Sequence, residues 1–158
     1  MANATAPAAG SRFSELEMGA WAGFLRAHAM LVRELDEELT RAHGLPLSSY
    51  DVLVQLEATE DGRLRLSQLA DAVLLSRSGL SRLVQRLIDQ GLVERVDCTS
   101  DARGAFAAIT DRGRERLAEA RATHRAGVRE RFLDRLTDEQ KRQLAEIWET
   151  LGTRNPYG

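Results

Sequence analysis

Arg77, Ser78, Ser81, Arg82, Gln85 and Arg86 recur along one short stretch with no carboxylate between them. Arginine carries a planar fork of N–H donors that fits phosphate or the acceptor edge of guanine. Gln and Ser add groups that reach base edges. Interleaved with them, Leu80, Leu83, Val84, Leu87 and Ile88 fall at the three- and four-residue steps of one helix face. A helix divided in this way can bury one side and lay the other in the DNA major groove. Arg77, Arg82 and Arg86 cannot all face the same groove wall, so at least one serves phosphate or an intramolecular carboxylate. A second basic feature lies in the turn-rich run from Asp97 to Gly104, which places Arg103 near a loop tip. An arginine there suits the minor groove, whose negative potential attracts it, and Asp101 can orient the guanidinium by a bidentate contact. Arg95, nearby, is expected to pair internally with Asp97 or Asp101.

Little else in the chain suggests chemistry. There is no phosphate-cradling glycine motif, no H-E-x-x-H and no Cys/His cluster at zinc spacing, and His28, His43 and His124 are scattered. The reading is therefore of a protein that is not an enzyme and that carries no catalytic residue, metal site or cofactor.

The elements that must position these residues can be read around them. Ser67 is a good N-cap for a first helix with Leu66, Leu69, Ala70 and Val73 on one face. The second helix runs from about Ser76, a further cap, to Gln90, and Gly91 ends it. Leu92 to Val96 and Ala105 to Ile109 make a hairpin, and Arg63-Leu64-Arg65 a short strand that can pair with it; Arg63 and Arg65 are within reach of phosphate or serve the structure alone. Upstream, Ser11 to His43 reads as one long helix stopped by Gly44. Ser48 and Asp51 read as a capping box for a short helix. Downstream, Thr110 and Asp111 open a helix that runs to Leu136, and Thr137 with Gln140 caps a last one through Leu144, Ile147, Trp148 and Leu151. The fold class is mainly α (α+β): a winged helix-turn-helix with long N- and C-terminal helices. Residues 1–10 read as a disordered tail, 46–112 as the winged helix-turn-helix, and 11–45 with 113–158 as a helical region. The apolar residues of the first and last helices exceed what the small winged module can cover. They pack on each other within one chain or on the same helices of a second chain.

Composition fits this plan. The chain has 158 residues, 43% hydrophobic and 29% charged, as in an ordinary globular protein. No apolar run approaches the roughly 20 residues of a membrane span, and the Ala-rich start lacks the pattern of a secretory signal. One cysteine excludes an intrachain disulfide and fits a reducing cytoplasm. The net charge of −2 looks wrong for a nucleic-acid partner until it is divided along the chain. Residues 1–62 hold 4 basic and 10 acidic side chains, residues 63–116 hold 10 and 7, and the remainder hold 8 and 7. The positive balance falls on the winged segment, where phosphate binding requires it.

In their order and spacing, Leu66-Ser67-Gln68-Leu69-Ala70, Ser76 to Val84, Gly91-Leu92-Val93-Glu94-Arg95, Asp101-Ala102-Arg103-Gly104 and Ile109-Thr110 resemble the MarR family of bacterial transcriptional regulators. The family's wing carries Asp-x-Arg, met by Asp101 and Arg103, and its last strand usually closes with Leu-Thr, met by Ile109-Thr110. The helix-to-helix turn Val73-Leu74-Leu75-Ser76 departs from many such turns in lacking glycine. The resemblance implies a homodimer with interleaved terminal helices, binding double-stranded DNA at a pseudo-palindromic operator. It also implies a ligand-responsive regulator, with repression the expected sign. Physical reasoning agrees on the dimer, since two-fold symmetry sets two recognition helices about one DNA turn apart. Family members commonly bind small aromatic or anionic effectors between the dimerisation helices and the winged module. That cleft would here be lined by Trp21, Leu25, His28, Leu31, Tyr50 and His124.

Two other readings use the same residues. A winged helix can dock on protein instead of DNA, but such a face does not need Arg77, Arg82, Arg86 and Arg103 together. Cys98 suggests redox sensing, with Arg95 and Arg103 as groups able to lower its pKa. In peroxide-sensing family members, however, the cysteine lies near the first helix and is supported by tyrosines.

Overall fold

The computed structural model describes residues 12–73, 77–97 and 105–152, with the side chains of Arg77, Asp97 and Ala105 outside the description. Helix α1 spans Glu15–His43, α2 Leu47–Glu57, β1 Arg63–Arg65, α3 Leu66–Ala72, α4 Arg77–Asp89, β2 Val93–Asp97, β3 Ala105–Ile109, α5 Asp111–Arg131 and α6 Asp138–Thr150. A single 3-10 turn, Leu133–Arg135, separates the last two helices. The fold is the mostly helical winged helix-turn-helix expected, with long helices at both ends.

The sheet is antiparallel in the order β1-β3-β2. Arg65 lies opposite Phe106 and Arg63 opposite Ala108, while β2 pairs from Val93↔Ile109 to Asp97↔Ala105. Alternation along the strands sends Leu64, Ala107, Val93 and Ile109 toward the helices. Ala107, Val93 and Ile109 are buried there with Leu53, Leu56, Leu69, Leu80, Leu83, Leu87 and Leu117 in one core.

The long helices reach this core only at one end. Leu35 and Leu39 of α1 are buried, and Gly127 of α5 is what lets the two helices meet there. A Cβ on Gly127 would stand 2.8 Å from both Leu35 Cδ2 and Glu38 Oε2. Arg131 closes the same crossing with ion pairs to Glu34 at 3.2 Å and Glu38 at 2.7 Å. The N-terminal half of α1 and all of α6 project beyond the core. Leu16, Trp21, Phe24, Leu25, Ile147 and Leu151 are exposed, and Phe24 meets Trp148 at 5.7 Å between ring centroids. Among the described residues no helix is long and apolar enough to cross a membrane.

Several helix starts differ from the sequence expectation. Helix α1 begins at Glu15, not Ser11, because Ser14 and Glu17 form a reciprocal capping box. The box expected from Ser48 and Asp51 does not form. Helix α2 starts at Leu47 after Pro46, and its cap comes from another element: Asp36 of α1 accepts the Leu47 N–H at 2.8 Å. Helix α3 starts at Leu66, one residue before the expected cap Ser67, with the Gln68 side chain accepting the Arg65 N–H. Helix α5 stops at Arg131 rather than Leu136, as Phe132 leaves helical geometry. Thr137 and Gln140 do form their box. The expected tail 1–10 and the expected cap Ser76 lie outside the described residues.

Candidate nucleic-acid interface

Helix α4 divides as its sequence implies. Leu80, Leu83, Val84 and Leu87 are each 3% exposed or less and face the core with Leu69 and Ala70 of α3. Ser78, Ser81, Arg82, Gln85 and Arg86 lie on its exposed face. The face holds no acidic residue until Asp89, which accepts from Gln85 Nε2 at 2.9 Å. Burying one stripe this completely fixes the rotation of the helix, so the arginine face cannot roll inward without opening the core. Arg77 opens α4, and its side chain lies outside the description.

The helix is locked to the hairpin at its C-terminal end. Gly91, at φ 71°, occupies the left-handed position that L side chains rarely adopt. Its N–H reaches Ile88 O at 2.8 Å, and the Leu92 N–H reaches Leu87 O at 2.9 Å. Thr110 then joins three elements. Its hydroxyl donates to Gly91 O at 2.7 Å and accepts from the Gly113 N–H at 3.0 Å, while its own N–H donates to Leu92 O at 3.1 Å. The direction of the hairpin relative to α4 is thus set by hydrogen bonds that link the hydroxyl and N–H of one threonine to backbone groups. Residues 98–104, which join β2 to β3, lie outside the described residues and include Cys98, Asp101 and Arg103. Arg95 is exposed on β2.

A model of the MarR family matches residues 43–104, from the end of α1 into the hairpin. Sco3205 from Streptomyces coelicolor, a MarR family transcriptional regulator solved in complex with DNA, is 37% identical; the match covers 92% of this chain and 91% of that chain, with a TM-score of 0.86. This chain belongs to the MarR family. AbsC, a MarR family transcriptional regulator of the same organism, is 32% identical over 90% of this chain and 95% of its own, with a TM-score of 0.83. The HTH-type transcriptional repressor MdtR of Bacillus subtilis is 25% identical over 134 residues, which is 85% of this chain and 81% of that protein.

Of the residues that the MarR resemblance assigned to an effector cleft, the structure joins two. Tyr50 of α2 is 5% exposed and stacks on His124 of α5, with ring centroids 4.5 Å apart. Trp21 and Leu25 stand on the exposed half of α1, 53% and 45% exposed, and His28 is exposed as well. Trp21 and His28 flank Phe24, at 6.2 and 6.1 Å between ring centroids. Leu31 is half-buried.

The ground around Tyr50 is electrostatically unusual, and sequence reasoning singled out only part of it. Arg121 pairs with Glu57 beside Tyr50. Burial pushes the Tyr50 hydroxyl above its ordinary pKa, and Arg121 opposes the shift. Burial, helped by Arg125, pulls His124 below the usual imidazole range. Burial also lifts the neighbouring Asp51 carboxyl to about 6. In the sequence Asp51 reads only as half of a capping box. The signal that could have flagged it was an acid set among Tyr50, Val52 and Leu53.

Proposed function

We propose that this MarR-family regulator binds double-stranded DNA as a homodimer at a pseudo-palindromic operator and represses transcription until a small ligand releases it. The observation that carries the reading is the division of α4. Its apolar stripe is locked into the core, and Ser78, Ser81, Arg82, Gln85 and Arg86 are left outside. In this reading, with Arg77, they contact base edges and phosphates in the major groove, and Arg103, oriented by Asp101, enters the flanking minor groove. Residues 46–112 are the DNA-binding region, and residues 11–45 with 113–158 the dimerisation region. The exposed apolar side chains of α1 and α6 support a second copy as their cover, because a contiguous patch of this kind is rare on a monomer. Repression is favoured because a dimer on a promoter blocks polymerase without further machinery, and because the relative MdtR is named a repressor.

The effector is proposed to be small and aromatic or anionic, meeting Tyr50 and His124, with Trp21, Leu25 and His28 brought to the same cleft by assembly. The stacked Tyr50–His124 pair with Arg121 beside it supports that chemistry. The effector shifts the dimer to a spacing of recognition helices that no longer fits DNA.

A salt-titrated gel shift on the DNA upstream of this protein's own gene, with wild type, Arg82→Ala and Arg103→Ala, tests the reading. A discrete shift that weakens steeply with salt, and further in both variants, is expected. No salt-sensitive shift on any duplex, with binding to a protein partner instead, would replace it with the protein-docking reading.

A further inference from the structure

We infer that Arg131, with Glu34 and Glu38, is a positioning clasp that sets the direction in which α1 leaves the winged module, and through it the spacing at which the dimer's two recognition helices meet DNA. The inference rests on the dimeric DNA-binding reading above. Helices α1 and α5 cross in opposite directions. His43 Nε2 meets Thr123 Oγ1 at 2.8 Å, while Glu34 and Glu38, nearer the start of α1, meet Arg131 at the end of α5. Arg131 is the last residue of α5, so among the described residues these are the outermost ion pairs between the two helices. Residues 15–33 of α1 run on from them as a projecting arm.

One guanidinium holds two carboxylates a turn apart. Its Nε donates to Glu34 Oε2 at 3.2 Å, and its Nη1 lies 2.7 Å from Glu38 Oε2. The last two atoms are buried and make no hydrogen bond elsewhere, so the charge of each is balanced chiefly by the other. Glu34 and Glu38 are the only two carboxylates of α1 spaced four residues apart, so a single placement of α1 offers both to the fork. The apolar contact beside them is less selective. Gly127 makes room for Leu35, but Leu31 and Leu39 stand one turn to either side with the same side chain. A largely buried ion pair adds little net stability over apolar side chains of similar volume. Its contribution here is one defined geometry.

The lever beyond the clasp is long. From Glu34 to Glu15 α1 rises about 29 Å, so a tilt of roughly 10° at the clasp moves the far end by about 5 Å. That exceeds the roughly 3.4 Å between successive base pairs along a strand. The His43–Thr123 bond lies on the core side of the clasp, so it holds the base of the lever and leaves its direction to Arg131. Farther out α1 meets α6 through Phe24 and Trp148, but α6 has no buried residue with which to hold the arm. Because the arms join the two copies in this reading, a loosened clasp widens the range of recognition-helix spacings that the dimer samples.

The test separates geometry from stability. We compare full-length wild type, the triple variant Glu34→Gln/Glu38→Met/Arg131→Met, and Arg131→Lys. Three properties are measured: urea unfolding, affinity for operator duplexes whose half-sites are moved together or apart by one base pair, and the distance between the two protomers' hairpins. The last is read by pulsed EPR between spin labels at Glu94→Cys in a Cys98→Ser background. The triple variant should be about as stable as wild type. Its distance distribution should nevertheless broaden, and its preference for one half-site spacing should shrink about three- to ten-fold. Arg131→Lys, which keeps the charge but not the fork, should fall between the two. A folded triple variant with wild-type distances and spacing preference would overturn the inference and leave the DNA-binding reading intact. If the triple variant does not fold, unchanged distances and spacing preference in Arg131→Lys count equally against the clasp. A wild type that sediments as a monomer, or that binds no duplex, would remove the underlying reading and the inference with it.

Discussion

Gly113 sits buried in the first turn of α5, where a side chain would have nowhere to go. A Cβ at this position would overlap the backbone carbonyl oxygen of Leu92 and stand 2.9 Å from Ile109 Cγ1. That carbonyl already accepts the Thr110 N–H, so it cannot swing aside without loosening the junction of α4, hairpin and α5. Two effects of Gly113→Ala oppose each other. Replacing glycine by alanine within a helix is favourable by up to about 1 kcal/mol. Overpacking a filled interior costs about 1–3 kcal/mol. Because the obstacle is backbone, not the end of a flexible side chain, the upper part of that range applies, and the net loss should be about 2 kcal/mol. For a chain of this length each kcal/mol moves the melting temperature by about 2–4 °C, so a fall of about 4–8 °C is expected. Thermal and urea unfolding of the two proteins measure it. DNA affinity should fall as well, since the hairpin is displaced relative to α4. A variant as stable as wild type, or more stable, would refute the close approach and with it the account of how Thr110 aims the wing.

Three further sites probe other parts of the structure. Asp36→Ala should destabilise the protein by about 0.5–2 kcal/mol in urea unfolding, the usual value of a helix cap, whereas Asp36→Asn should retain most of the stability; equal losses would show that the bond to the Leu47 N–H is not what Asp36 contributes. Asp51, with its carboxyl raised to about 6, binds its proton more tightly in the folded chain than in the unfolded one, so its contribution to stability falls as pH rises from about 4 through 6. His124, shifted downward, acts in the opposite sense, losing stability as pH falls below its ordinary range. The test is therefore the difference between Asp51→Asn and wild type, which should grow in favour of the variant from pH 4 to 7; a flat difference contradicts the burial argument. Ile147→Asp with Leu151→Asp, both at exposed apolar positions on or just after α6, should convert a dimer to monomer in sedimentation and weaken operator binding; an unchanged dimer would show that α6 is not part of the interface.

Much of this fold could be read from local patterns because its most regular parts are two-faced. The α4 stripe Leu80, Leu83, Val84 and Leu87 and the arginines between its members specify both a buried side and an exposed one, and the strand 63–65 and the glycine stops at Gly44 and Gly91 are equally local signals. What could not be read this way depends on partners distant in sequence. Ser48 and Asp51 have the spacing of a capping box, yet α2 is capped by Asp36, which only the crossing of α1 brings within reach. The periodicity of Trp21, Leu25 and His28 shows that they share a helix face without showing what covers it. The single chain leaves Trp21 and His28 around Phe24, while Tyr50 meets His124 because α2 packs on α5.

If two copies of α4 read DNA together, their half-sites must come in pairs. The most direct measurement is selection of binding sites from a pool of random duplexes with the full-length protein at low salt, followed by sequencing. Enrichment of inverted half-sites whose centres lie about one helical turn, roughly 10 base pairs, apart is expected. Enrichment of single unpaired sites would contradict the dimeric reading, and no enrichment over the starting pool would contradict sequence-specific recognition by α4 itself.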